Sequence, residues 1–144
     1  MRALIVGEAW GGAAAFAPGT RSGACLARVL GVAAVADVAD AINLLRRRPP
    51  RAGRKGDAFP RARARARARA AALALAGRPL VVLVGHRVAA AFGAAGRPYL
   101  RIFKLRGARA MVAPHPSGVN RWWNDPRNRR RAARRLRAAL RGRR

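Results

Sequence analysis

The chain has 144 residues, 32 of them Lys or Arg and five Asp or Glu, for a formal net charge of +27. That length holds one domain with a modest core, and so basic a surface attracts polyanions, nucleic acid first and an anionic membrane surface second. A single cysteine, Cys25, excludes an internal disulfide and any iron–sulfur or zinc site built from several thiolates, and two histidines far apart in sequence argue against a dedicated metal site.

Nearly all the positive charge is arginine, so a composition bias contributes to the excess whatever the partner. About half the chain is apolar, but alanine dominates that half, which leaves few large side chains to build a core. Arg2, an apolar stretch and Ala15-Phe16-Ala17 follow the order of a secretory signal. Glu8 interrupts that stretch and Pro18 would follow the cut, so a cytoplasmic protein is expected. No apolar run approaches the length of a membrane span, and no membrane partner is expected.

Residues 3–6 read as a first buried strand, followed by a long Gly/Ala/Pro loop from Gly7 to Arg21. Ser22 can cap a helix running through Leu26, Val29 and Leu30 and stopping at Gly31. Residues 40–45 look like a second strand, ended by Arg46-Arg47-Arg48-Pro49-Pro50, and a basic loop follows to Pro60. Residues 61–70 alternate Arg and Ala. Period two normally signals a strand, but both residues are strong helix formers and poor strand formers, so a helix over 60–76 ending at Gly77 is predicted. Its arginines emerge on more than one side, either facing phosphates or simply solvated. Leu80-Val81-Val82-Leu83-Val84 is the clearest strand, ended by Gly85. A helix from His86 to Phe92 stops near Gly93, and Tyr99 to Phe103 reads as a short strand or extended loop. Residues 110–113 form the last strand, and from Arg127 onward a basic helix carries Leu136 and Leu140 on one side. Strands alternating with helices predict a parallel sheet covered on both faces.

Two loops follow strands and carry reactive side chains. The first strand leads into Gly7-Glu8-Ala9-Trp10-Gly11-Gly12, with the only glutamate of the chain. The last leads into Pro114-His115-Pro116-Ser117-Gly118-Val119-Asn120-Arg121-Trp122-Trp123-Asn124-Asp125-Pro126. In open α/β sheets, ligands bind at the carboxyl ends of the strands.

On these segments the chain resembles the uracil-DNA glycosylase superfamily, more narrowly its small bacterial and phage-type members. Gly7-Glu8-Ala9-Trp10-Gly11 is similar to the first family motif, and Arg21-Ser22-Gly23 to the segment opening the next helix. Ile42-Asn43-Leu44-Leu45 falls where the family has its base-reading asparagine. Gly56-Asp57-Ala58-Phe59-Pro60 and the strand and helix around Gly85 also look similar, and His115-Pro116-Ser117 with the run to Pro126 resembles the second motif. The likeness covers roughly residues 1–128 and leaves 129–144 as a basic C-terminal helix or tail. It implies a three-layer α/β/α sandwich around a four-stranded parallel sheet, in a monomer without cofactor or metal that acts on uracil-containing DNA in base excision repair.

The resemblance further implies roles. His115 would hydrogen-bond the uracil oxygen where negative charge develops, Asn43 would read the base edge, and Glu8 would orient or activate water unless a salt bridge claims it. Gly7, Ala9, Trp10, Gly11 and Phe16 would line the base pocket. Phe16 is the nearest candidate for the aromatic that stacks on the base, with Trp10 its rival. Ser117, Gly118, Val119, Asn120 and Arg121 would contact DNA, with Val119 as a wedge. Trp122 and Trp123 would stack on bases or anchor the loop to the core, with core anchoring the expected job of at least one. Trp10 stands where proline is usual, and Ala9 where many relatives carry an Asp or Asn that positions water. Those departures keep open a catalytically degenerate DNA-binding protein on the same fold, and the charge alone keeps open a basic nucleotide- or RNA-binding module.

Overall fold

A computed structural model describes residues 1–9, 14–50, 58–117 and 120–142. Strands β1 (Ala3–Ala9), β2 (Ala39–Leu45), β3 (Val81–Val84), β4 (Ile102–Leu105) and β5 (Ala108–Ala113) form one sheet in the order β2-β1-β3-β5-β4. The helices are α1 (Arg21–Leu30), α2 (Arg61–Ala70), α3 (Ala72–Leu75), α4 (His86–Ala91) and α5 (Pro126–Leu140). β2, β1, β3 and β5 run parallel. They are the four strands expected from the apolar runs. The fifth, β4, pairs antiparallel with β5 through a tight hairpin and lies at the sheet edge. It overlaps the segment Tyr99 to Phe103, read as a short strand or extended loop, but starts at Ile102 and runs on to Leu105.

The sheet is covered on both faces. Ile5, Val82, Val84 and Met111 pack with Leu26 and Leu30 of α1, Leu136 of α5 and Trp123 on one side. Leu4, Val6, Leu83 and Val112 pack with Ala64 and Ala68 of α2, Leu75 of α3 and Val88 of α4 on the other. This is the three-layer α/β/α arrangement, because successive residues of a strand point to opposite faces. Among the described residues, no helix is long and apolar enough to cross a membrane.

The Arg-Ala repeat is helical, as propensity demands. In a helix, residues four apart share a side, so an even-numbered alanine stripe stays alanine. Ala64 and Ala68 are buried against the sheet, whereas Ala62, Ala66 and Ala70 face outward and are exposed. The arginines therefore occupy the two flanks, Arg61, Arg65 and Arg69 on one and Arg63 and Arg67 on the other.

Several boundaries differ from the sequence reading: the helix expected over 60–76 is two helices, α2 and α3, parted at Ala71, and the last strand starts at Ala108 rather than 110. β1 continues to Ala9, so Gly7 and Glu8 are strand residues rather than loop; pairing with β2 extends as far as Ala9 and Leu45. Helix α1 is capped by Thr20, not Ser22: the Thr20 hydroxyl accepts from the Gly23 N–H at 3.0 Å. Gly31 closes that helix in the left-handed conformation, as expected.

Candidate active site

The chain order of the parallel strands reverses direction at β1, between β2 and β3. The carboxyl edge beside such a switch point is where α/β sheets hold ligands. Asn43, Gly7, Gly85 and His115 lie at that edge on β2, β1, β3 and β5 or directly after them.

Gly7 and Asn43 are register partners across β1 and β2. A methyl group added to Gly7 would sit 2.7 Å from Asn43 Oδ1 and 3.0 Å from Cε2 and Cζ of Phe16. The bare Cα of Gly7 thus forms the floor on which the Asn43 amide and the Phe16 ring converge. Phe16 is buried in an unusual backbone conformation, φ +53°. Its carbonyl and that of Ala17 lie against α1 where a Cβ on Gly23 would come within 2.1–2.5 Å of them. Glycine at 23 and the Thr20 cap hold Phe16 over Gly7. Asn43 also opens onto a hollow of about 260 Å³ walled by Ala14, Ala15, Leu45 and Arg46.

His115 belongs to the segment after β5. A Cβ on Gly85, at φ +96°, would touch His115 Cβ at 3.3 Å, so the open side of Gly85 seats the imidazole. The His115 carbonyl accepts from Asn120 Nδ2 at 3.0 Å and from Trp123 Nε1 at 2.9 Å. Trp123 is buried, the core anchor expected of one of the two tryptophans, and Trp122 meets it edge-on at 4.9 Å. Asn120 Oδ1 accepts from the Trp122 N–H at 3.1 Å. Both polar ends of Asn120 therefore hold the loop together. Ser117 is half-buried on the same loop, its carbonyl accepting from the Asn120 N–H, and Arg121 is exposed.

Burial pushes the pKa of His115 below its ordinary 6.5; the nearby Glu8 carboxylate opposes this, and Arg87 and Arg48 reinforce it. At neutral pH the imidazole is uncharged, with one ring nitrogen protonated. Glu8 alternates to the α2–α4 side of β1 and pairs with Arg87 Nη1 at 3.1 Å. The guanidinium of Arg87 also lies 5.0 Å from the centre of the Phe59 ring.

The structure thus places Asn43, Gly7 and Phe16 in one cluster and His115 in a second, with Glu8 close enough to influence His115 electrostatically. Trp10, Gly11, Gly118 and Val119 lie outside the described residues, as does the side chain of Ala9. Three further residues join the edge without having been singled out as site residues: Arg48, Arg87 and His86. His86 stacks on Tyr99 with ring centres 4.4 Å apart. Their one signal was position, just past the ends of β2 and β3.

No protein-family model matches the chain, and no curated protein matches it.

Proposed function

We propose that the protein is a DNA glycosylase that hydrolyses the N-glycosidic bond of uracil, or of another deaminated base, in DNA, acting as a cytoplasmic monomer in base excision repair. The observation that carries this reading is the placement of an amide that can read a base edge, Asn43, and a half-buried imidazole with a lowered pKa, His115, along one carboxyl edge of the sheet. β2 and β5 are three strand spacings apart, about 14 Å between backbones.

In this reading, the target base leaves the stack and enters the site. Asn43 presents a donor and an acceptor to the O4 and N3–H edge of uracil; cytosine offers the opposite pattern and leaves the amide, enclosed once the base is seated, unmatched. Phe16 supplies an aromatic surface for the ring. As the bond between ring nitrogen and sugar breaks, its electron pair moves onto uracil. His115 donates a hydrogen bond to the oxygen that gains charge, an oxyanion-type stabilisation open to a neutral imidazole. Water then bonds to the sugar carbon and gives up a proton, which ends on the departing uracil anion. Glu8 lies near His115, and its charge, shared with Arg87, favours the positive character that develops on the sugar.

The test is a strand-cleavage assay. Labelled oligonucleotides carrying uracil, hypoxanthine or thymine, single-stranded and duplex, are incubated with protein and then treated with alkali. Cleavage at uracil or hypoxanthine but not thymine, strongly reduced in His115→Ala, supports the reading. Intact strands with well-folded protein refute it.

One observation favours a second reading. Glu8 is ion-paired with Arg87, and Ala9 offers no polar group to hold water. A catalytically degenerate DNA-binding protein on the same fold would bind DNA tightly and salt-sensitively and release no base.

A further inference from the structure

A groove of about 990 Å³ runs between the segment after β2 and helix α2. Arg46, Arg47 and Arg48 wall it on one side, and Arg61, Arg63 and Arg67 on the other. No carboxylate lines it among the described residues. The described acids are committed elsewhere. Glu8 pairs with Arg87, and Asp40 with Arg2 and Arg78. Asp37 accepts from the Ala34 N–H and Asp125 from the Arg127 N–H.

The groove and the hollow at Asn43 share two walls, Leu45 and Arg46. The two spaces are therefore neighbours along the end of β2. We infer that this groove seats the sugar–phosphate backbone of the nucleic-acid strand that continues, on one side, from the nucleotide read by Asn43. This deepens the glycosylase reading and rests on it for the identity of that nucleotide. A row of guanidinium groups without aromatic partners contacts phosphates rather than bases, and such contacts fix register without reading sequence. The Arg-Ala repeat then has a structural purpose. Its alanine stripe lets α2 lie close on the sheet, and the flank carrying Arg63 and Arg67 lines the groove.

The experiment measures binding of a fluorescent, uracil-free single-stranded oligothymidylate across a series of salt concentrations. Each phosphate contact on a single strand contributes about 0.7 to the slope of log K against log salt. Arg63→Gln with Arg67→Gln is expected to reduce that slope by about 1.4. Arg134→Gln with Arg135→Gln removes equal charge from exposed positions of α5, across the sheet, and is expected to leave the slope within error. Equal losses in both pairs would overturn the inference, since charge alone would then explain binding. So would displacement of the oligonucleotide by inorganic tripolyphosphate at matched phosphate concentration, which would assign the groove to a free polyphosphate. If the double variant fails to fold by circular dichroism, Arg63→Gln alone, with an expected loss of about 0.7, decides. Binding without base release leaves the groove assignment standing while the enzymatic reading fails, so the two are distinguished.

Discussion

Gly7 and Asn43 face each other across two parallel strands so closely that a single methyl group on Gly7 would collide with Asn43 Oδ1 at 2.7 Å. The same methyl would meet the Phe16 ring at 3.0 Å. Gly7→Ala must therefore push aside the amide and the ring together. Overpacking of this kind costs about 1–3 kcal/mol. The protein should remain folded, while uracil release falls at least tenfold and discrimination against cytosine weakens. A competition assay with uracil, cytosine and thymine oligonucleotides measures both. Unchanged selectivity in Gly7→Ala would remove Asn43 as the base reader.

Gly23→Ala acts one layer further out. Its Cβ would lie 2.1 Å from the Ala17 carbonyl oxygen, which is backbone and cannot rotate away. The segment carrying Phe16 must lift from α1. We expect a loss of about 1–3 kcal/mol in urea unfolding and a weaker grip on the base. Ser22→Ala is the matched control, because Thr20 rather than Ser22 caps the helix, and it should stay near wild-type stability.

The four parallel strands were legible because each is a short apolar run placed between helical stretches, and a parallel sheet buried on both faces needs such runs. The antiparallel β4 was legible only in part: Tyr99 to Phe103 reads as a short strand or extended loop, whereas the strand runs Ile102–Leu105, four residues with only Phe103 and Leu105 turned inward. Helix α2 was legible only by setting propensity against period, and its two arginine flanks follow from 3.6-residue geometry. His115 could be singled out from its place after a strand, whereas Asn43 stood out only through the resemblance to the uracil-DNA glycosylase superfamily. Nothing local in the sequence revealed that Gly7 would touch Asn43, since that depends on the register between β1 and β2. Arg87 was hidden for a similar reason: its partners Glu8 and Phe59 are remote in the chain and meet only when β1, β3 and α4 assemble.

Trp123 is a positioning residue rather than one that touches substrate. Its indole N–H and the Asn120 amide are the two donors that hold the His115 carbonyl. Trp123→Phe keeps an aromatic in the core but removes one donor, which should cost about 1–2 kcal/mol in stability. If the role is positional, kcat falls while KM for a uracil oligonucleotide changes little. Asn120→Asp, which keeps the acceptor for the Trp122 N–H and loses the donor, should reproduce that split. A proportional fall in binding instead would place these residues on DNA.

His115 makes stability and activity depend on pH in a defined direction. Burial lowers its pKa below 6.5 in the folded chain, whereas the unfolded chain takes up the proton at the ordinary value. Below pH 6.5 the unfolded state binds more protons than the folded state, so stability declines as pH falls toward the lowered pKa and is fully present above 6.5. Asp40, held below 3.8 mainly by its hydrogen bond from Arg78, titrates well below that window and does not obscure it. Urea unfolding at several pH values from 5 to 7.5 should show this decline, and His115→Gln, uncharged throughout, should flatten it. Base release should follow the same course, reaching its plateau below pH 6.5 because the imidazole stays neutral to lower pH than a free histidine. A wild-type profile identical to that of His115→Gln would show that His115 titrates alike in both states and is not enclosed as described.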